Sequence, residues 1–240
     1  MKPRLGSSLL VGLVLVVGCG SPDGGNPGDD VQLPDAGAAC SDPRAALPDG
    51  WKPVAHVSSG AVTSGPGAAA GVTASTIDAT AGGFGNSASE PFVYLKFGNG
   101  TLEKVAIDDT QSYTSTAWDV AFKRYVIRAN GGDSGAGGVR VAGVDTASLA
   151  DVSAAPPESA FREDDWTTDA CAPILDTLGA PVTAVGTWYI ANNMRLDPQP
   201  KVYVVRRADG TSFKLHVLTY YGDAADANKS AFFRVEWAPL

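Results

Sequence analysis

The sequence predicts an all-β fold, mainly antiparallel, with long protruding loops and at most one short helix. Three observations lead there. Stretches such as "WDVAFKRYVIR" (residues 118–128) and "AFFRVEWAPL" (residues 231–240) alternate apolar and polar residues with the period of a strand. Tight-turn dipeptides, Asn99-Gly100 and Asp209-Gly210, stand between strand-like runs. Helical periodicity is scarce, and only "ACAPILDTLG" (residues 170–179) offers a short helix, stopped by Gly179.

The first segment is a targeting signal rather than part of the fold. Lys2 and Arg4 precede an almost unbroken apolar run over residues 9–17, which ends in Val16-Val17-Gly18-Cys19. A short basic-then-apolar segment ending in small residues reads as a secretory signal over 1–18, too short to span a bilayer. Cys19 after a small residue resembles a bacterial lipobox, which implies cleavage before Cys19 and its acylation. The protein would then be anchored to a lipid bilayer, and Gly20 in the next position agrees with sorting to the outer membrane. The simpler alternative is an ordinary signal peptide with an incidental cysteine.

Charge and cysteine content limit the partners. The whole chain carries a formal charge of −8, and losing Lys2 and Arg4 with the signal makes it −10. No basic run exists, so phosphate would be repelled and nucleic acid is excluded as a partner. With Cys19 lipidated, Cys40 and Cys171 remain. In an oxidising compartment they either pair as one disulfide or stay as two thiols. No Cys/His grouping has zinc spacing.

Residues 20–49 are rich in Pro, Gly, Asp and Ala and almost free of large apolar residues. Such a segment buries too little surface to offset the entropy of ordering. Residues 19–50 therefore read as a lipidated, flexible tether, and 51–240 as one β domain. Within it, "FVYLKFG" (92–98) and "LEKVAI" (102–107) form a hairpin around Asn99-Gly100. "KVYVVRRADGTSFKLHVLTYYG" (201–222) holds two more strands around Asp209-Gly210. Residues 58–85 are Gly-, Ala-, Ser- and Thr-rich, which leaves their register open. Residues 143–172 lack strand patterning, and a loop of that length inside a domain is often functional.

The tract "NGGDSGAGG" (130–138) invites a phosphate-cradle reading, which needs a helix behind it to present amides to the anion. The next residues are "VRVAGV", a strand pattern, and neither a Gly-Lys-Ser/Thr ending nor GxGxxG spacing is present. The tract is a wide turn whose glycines accept positive φ.

The same region carries a family resemblance. Trp118-Asp119-Val120-Ala121-Phe122, then Arg128-Ala129-Asn130-Gly131-Gly132-Asp133-Ser134-Gly135, then "VYVVRRADGTSFKLHVLTYYG", and more weakly "IDATAGG…FVYLKFGNG" upstream, resemble the HmuY family of surface lipoproteins. The resemblance spans most of residues 77–221 in order, and the lipobox agrees with it. It implies a β fold shaped like a grasping hand that holds haem between two protruding loops. It also implies a role in iron acquisition and a TonB-dependent haem receptor as partner.

Haem iron takes axial donors from His, Met, Cys or Tyr. The resemblance puts the ligands in the loop after the glycine tract and in the loop before the last hairpin. The first, residues 144–172, holds no His, Met or Tyr, only Cys171. The second, residues 185–200, holds Tyr189 and Met194. A bis-His site is excluded there, and a Met194-based site lacks one partner. Met194 in "NNMRLDPQP" sits in a polar loop, where it is either a ligand or a packing residue. Trp166, Trp188 and Tyr189 either flank a flat ligand or anchor their loops. His216 shares a strand face with Lys214 and reads as solvated, and His56 reads as surface or core edge.

An enzyme is not indicated. GxSxG and HExxH are absent. "REDDW" (162–166) lacks the glycine and closing Glu of a calcium loop and reads as a solvated acidic turn. Two functions remain: an outer-membrane-anchored haem-binding lipoprotein, or a non-haem surface interaction or structural lipoprotein on the same scaffold.

Overall fold

The computed structural model describes Cys40, residues 42–222 and residues 229–240, all within the contact unit Gly37–Leu240. The signal peptide expected at 1–18, Cys19 and residues 20–39 lie outside the described residues. Twelve strands are described: β1 (Val62–Pro66), β2 (Thr73–Asp78), β3 (Val93–Phe97), β4 (Leu102–Lys104), β5 (Val120–Lys123), β6 (Val126–Ala129), β7 (Arg140–Val144), β8 (Tyr189–Asn192), β9 (Arg195–Pro198), β10 (Val202–Arg206), β11 (Ser212–Tyr221) and β12 (Ser230–Pro239). They make a six-stranded sheet in the order β1-β2-β12-β11-β10-β7, a four-stranded sheet in the order β4-β3-β5-β6, and the ribbon β8-β9. Every strand pairing is antiparallel. The fold is all-β, as its patterning predicts.

Alternation in β12 shows how pattern becomes core. Phe233, Val235 and Trp237 are buried, while Phe232, Arg234 and Glu236 face away. The buried set meets Ile77, Leu215, Val205, Leu95 and Phe122 in the main cluster between the two large sheets. Phe97 stacks on Phe213 with ring centroids 4.7 Å apart, and Trp237 meets Phe97 edge-on at 5.2 Å. Each fully buried side chain of this kind contributes about 1.5–3 kcal/mol of transfer free energy.

The outer faces are covered too. On the four-stranded sheet, Leu47, Trp51, Phe92, Tyr94, Trp118 and Trp166 form a second cluster. On the six-stranded sheet, Leu149, Val152 and Phe161 cover Ala142, Val202 and Val204. The long segment 144–172 is therefore a strap over both outer faces, built of short 3-10 turns and isolated bridges, rather than a free loop. Chain packing also begins earlier than Trp51, since Leu47 is buried and Cys40 is bonded to Cys171.

Two expected elements are corrected. Residues 118–128 are not one strand. They fold back at Arg124-Tyr125, so that β5 and β6 pair Lys123 with Val126. Alternation misleads here because both faces of this sheet are buried, with cations included. Arg128 lies 4.0 Å over Phe92 and 4.6 Å over Trp166, and Lys123 lies 5.7 Å over Phe92. These aromatic faces stabilise cations inside the fold, although burial still brings Lys123 down to about 8. The helix expected at 170–179 is absent as well. Residues 167–181 form turns with bridges Thr167↔Pro173 and Leu175↔Pro181. The one α-helix among the described residues is α1 (Asp109–Ser112), started by a capping box in which Asp108 and Gln111 bond each other's backbone N–H.

The glycine tract joins β6 to β7, with no helix behind it. Gly132 and Gly138 take φ of 56° and 62°, conformations that favour glycine. Gly135 and Gly137 instead make room for Asn130. A Cβ at either would lie within 2.5 Å of that side chain. Asn130 in turn donates to the carbonyls of Ser115 and Trp118 and accepts from Gly137 N–H, closing the turn.

One ion pair joins the two sheets. Arg207, just beyond β10, donates Nε to Asp119 Oδ1 at 2.8 Å and Nη2 to Asp119 Oδ2 and to the Phe97 carbonyl at 2.6 Å. Asp119, just before β5, also accepts Phe97 N–H at 2.8 Å. The Asp119 side chain is 5% exposed and that of Arg207 21%. Removing one partner of a buried pair strands the other, at about 3–5 kcal/mol, whereas a surface pair is worth under about 1 kcal/mol. Arg207→Met keeps the aliphatic stem and is expected to cost an intermediate ~2 kcal/mol by urea unfolding. An unchanged midpoint would show that the pair does not hold the sheets together.

Candidate functional site

The polar segment 185–200, expected to be a loop, is largely the β8–β9 hairpin. Asn192 pairs with Arg195, which leaves Asn193-Met194 as a two-residue turn with φ of 45° and 63°. Positive φ at both central residues is the type I′ condition, for which glycine is favoured. A methionine there costs about 1 kcal/mol in backbone strain. Its side chain is fully exposed at 103%. A strained turn that holds an apolar, sulfur-bearing side chain in solvent gains nothing for stability.

Met194 borders a groove of about 360 Å³ lined by Arg124, Leu178, Ala191, Arg195, Leu196, Tyr220, Tyr221 and Ser230. Each wall is fixed from behind. Tyr221 accepts Leu196 N–H at its hydroxyl, 2.9 Å away, and carries the Arg195 guanidinium 4.3 Å over its ring. Arg124, at φ 49° in the β5–β6 turn, donates its N–H to the Ala79 carbonyl at 2.7 Å and its Nη1 to the Thr80 carbonyl at 3.2 Å. Leu178 is held by Asp176, whose Oδ1 accepts the N–H groups of Leu178 and Ala180 at 2.9 Å. The exposed apolar residues Ile174, Leu175 and Leu178 lie on that segment, and Ile190 and Met194 on the hairpin. The groove thus has an apolar rim, an aromatic wall and two guanidinium groups.

The expected site residues separate on inspection. Met194 lies on the groove. Tyr189 does not. It is buried, edge-on to Trp188 and Tyr125, with its hydroxyl donating to Asp176 at 3.3 Å. Burial and the Asp176 carboxylate push its ionisation far up, so it stays protonated and supports the loop. Tyr220 is likewise pushed up by burial, to about 12. Trp188 donates to the Tyr125 carbonyl at 2.7 Å, and Trp166 caps the second core cluster, so both anchor loops. Cys171 is tied to Cys40 and has no thiolate to offer.

His216 sits on the outer face of the six-stranded sheet, across from Glu236 and beside Lys214, and burial lowers its ionisation. His56 lies 3.4 Å from Glu90 at the surface. No group of three His, Cys, Asp or Glu side chains suited to a metal ion occurs among the described residues. The acidic turn at 162–166 is not wholly solvated. Glu163 and Asp165 are exposed, but Asp164 is buried and accepts from Ala129 N–H, Ala184 N–H and the Ser134 hydroxyl.

Arg124, Arg195, Leu178, Tyr220 and Tyr221 were not singled out by sequence reasoning. A signal existed for one of them: in "AFKRYVI" a charged pair interrupts two apolar runs, which is what a tight turn requires. Arg195 adjoins Met194 in the sequence, whereas Leu178, Tyr220 and Tyr221 reach it only through the tertiary fold.

A family model described as HmuY protein matches residues 88–234. Among solved structures, a candidate HmuY-like haem-binding protein from Bacteroides vulgatus aligns at 22% identity and a TM-score of 0.46, over 70% of this chain and 91% of its own. A candidate lipoprotein from Bacteroides fragilis aligns at 18% identity and 0.46, over 72% and 91% respectively. An apo HmuY analogue from Tannerella forsythia aligns at 17% identity and 0.39, over 77% and 99%. No curated protein matches the chain.

Proposed function

We propose, on the premise that this chain belongs to the HmuY family, that it is a surface lipoprotein that binds haem in the groove beside Met194 and serves iron acquisition. The signal over 1–18 directs export, acylated Cys19 anchors the chain to the outer membrane, and the tether carries the β domain outward. A TonB-dependent haem receptor is the partner that receives the haem. No catalytic step is part of this function.

The observation that carries the reading is Met194, fully exposed on a strained turn at the mouth of a groove. Among the groove's side chains, Met194 is the one that would hold the iron of a porphyrin. The iron would supply a Lewis-acid centre for the Met194 thioether, and the chain's residues do the rest. Tyr220 and Tyr221 would back the groove, Leu178 and Leu196 would exclude water from a porphyrin there, and Arg124 would bring positive charge to its carboxylates, beside an Arg195 stacked on Tyr221. Segment 144–172 offers no second ligand, because Cys171 is cross-linked. That absence favours, as a second reading, a surface interaction lipoprotein that takes another ligand on the same scaffold.

Titrating the apo-domain with haemin at micromolar protein is expected to shift the Soret band, in the ferrous state above all, where thioether ligation is strongest. Met194→Ala is expected to move the band maximum without changing the far-ultraviolet circular dichroism. No Soret change in either redox state sinks the haem reading and leaves the second.

A further inference from the structure

We infer that the apolar rim formed by segment 174–178 and the β8–β9 hairpin rests on the lipid surface to which the chain is anchored, so that the domain sits on the bilayer by one fixed face. The inference rests on the anchored-lipoprotein reading above and deepens it.

Five of the nine large apolar side chains that stand exposed among the described residues fall within residues 174–194: Ile174, Leu175, Leu178, Ile190 and Met194. A protein in water rarely gathers exposed apolar side chains in this way without a use for them. Leu178 and Met194 line or border the groove, but Ile174, Leu175 and Ile190 do not, and a porphyrin in the groove leaves these three in water. The two segments are fastened to one another. Leu178 and Met194 share the groove, and the Tyr189 hydroxyl of β8 donates to Asp176 at 3.3 Å. Ile190 alternates with Tyr189, so it points away from the core that holds Tyr189.

The place where the chain enters the fold says what covers this rim. The segment from Cys19 meets the described residues at Cys40, which is bonded to Cys171 with the two Cα atoms 5.0 Å apart. Cys171 lies within the turn closed by the bridge Thr167↔Pro173, and that turn leads directly into Ile174. The chain from the acylated cysteine thus joins the domain at the edge of the rim. About 20 residues separate Cys19 from Cys40, so the acyl chains lie within about 70 Å of that point. Such confinement raises the effective concentration of the bilayer at the rim, and apolar contacts too weak to hold a free protein on a membrane then suffice. The formal charge of −8 gives no attraction to phosphate headgroups, so the contact depends on apolar burial.

Met194 reports on this contact without any substitution. It is the one methionine after the signal, and it is fully exposed in the fold. Oxidation of a thioether follows its exposure. The lipidated chain, reconstituted without haem on phosphatidylcholine vesicles, is treated with the anionic oxidant chloramine-T, and the added oxygen is read by mass spectrometry. The mature chain bearing Cys19→Ser, free in solution, is the reference. Met194 is expected to oxidise at least about fivefold more slowly on the vesicles. Ile174→Ser/Leu175→Ser/Ile190→Ser in the lipidated chain is expected to bring the rate back to within about twofold of the reference, with the far-ultraviolet circular dichroism unchanged. Equal oxidation of the anchored and free chains overturns the inference and leaves the anchor reading intact. Slowing that vanishes as the protein is diluted on the vesicles also overturns it, because a second copy of the chain would then be the cover. A mature chain that carries no acyl group removes the anchor reading, and the inference with it.

Discussion

Replacing Cys40 and Cys171 together is expected to lower the unfolding free energy by about 4–5 kcal/mol, the largest single effect in this domain. The bond links residues 131 positions apart. In the chain-entropy account its main action is on the unfolded chain, whose ends it holds together, and the effect grows with the logarithm of the loop. The native side adds to it. Leu47 and Trp51, just after Cys40, pack on Phe92 and Trp166, and Cys171 closes the turn that leads to Leu178 on the groove. Cys171 has φ of 57°, where glycine is unstrained. Cys40→Ala/Cys171→Gly therefore removes the cross-link without retaining a strained residue. Urea unfolding of this variant should show a midpoint lower by roughly 2 M at an ordinary slope. Wild type treated with a thiol reductant should show the same fall. A midpoint within error of the oxidised protein would mean that the bond does not constrain the unfolded chain as supposed.

How far the sequence reveals this molecule depends on which face of each strand is solvated. β11 and β12 each have one mixed face, so Phe213, Leu215 and Val217 could be told from Lys214 and His216 by period alone. β5 and β6 are buried on both faces. There Lys123 and Arg128 look like solvent markers but are enclosed by Trp51, Phe92 and Trp166. The strand period then reports nothing, and the turn at Arg124-Tyr125 is missed. The strap 144–172 was illegible for a related reason. Leu149, Val152 and Phe161 are spaced to suit the sheet they cover, not a period of their own. Met194 was legible as an oddity of composition. Most of its neighbours were not, because Arg124, Leu178 and Tyr221 belong to three separate segments that only the completed fold brings to it.

Asp164 is expected to make the domain less stable as pH rises from about 4 to about 6. It is wholly buried, and burial raises its ionisation from 3.8 to about 6 against the pull of the Ser134, Ala184 and Ala129 donors and of Arg128. Between those two values the folded state binds more protons than the unfolded state. The slope of unfolding free energy with pH is then negative: the stabilisation is complete below about 4 and is lost as pH passes through about 6. A gap of about two pH units corresponds to ~3 kcal/mol. His216 acts in the opposite sense. Its ionisation is lowered by burial, so its contribution is lost as pH falls below its usual value. Asp164→Asn separates the two. The amide cannot accept at both positions, because Oδ2 takes Ala129 N–H and the Ser134 hydroxyl while Oδ1 takes Ala184 N–H. One buried donor is left unmet, at about 1–3 kcal/mol at every pH. Thermal unfolding from about pH 4 to about pH 7 should therefore show a lower but flatter profile for the variant than for wild type. Parallel profiles would mean that Asp164 stays ionised throughout, its three donors outweighing the cost of burial.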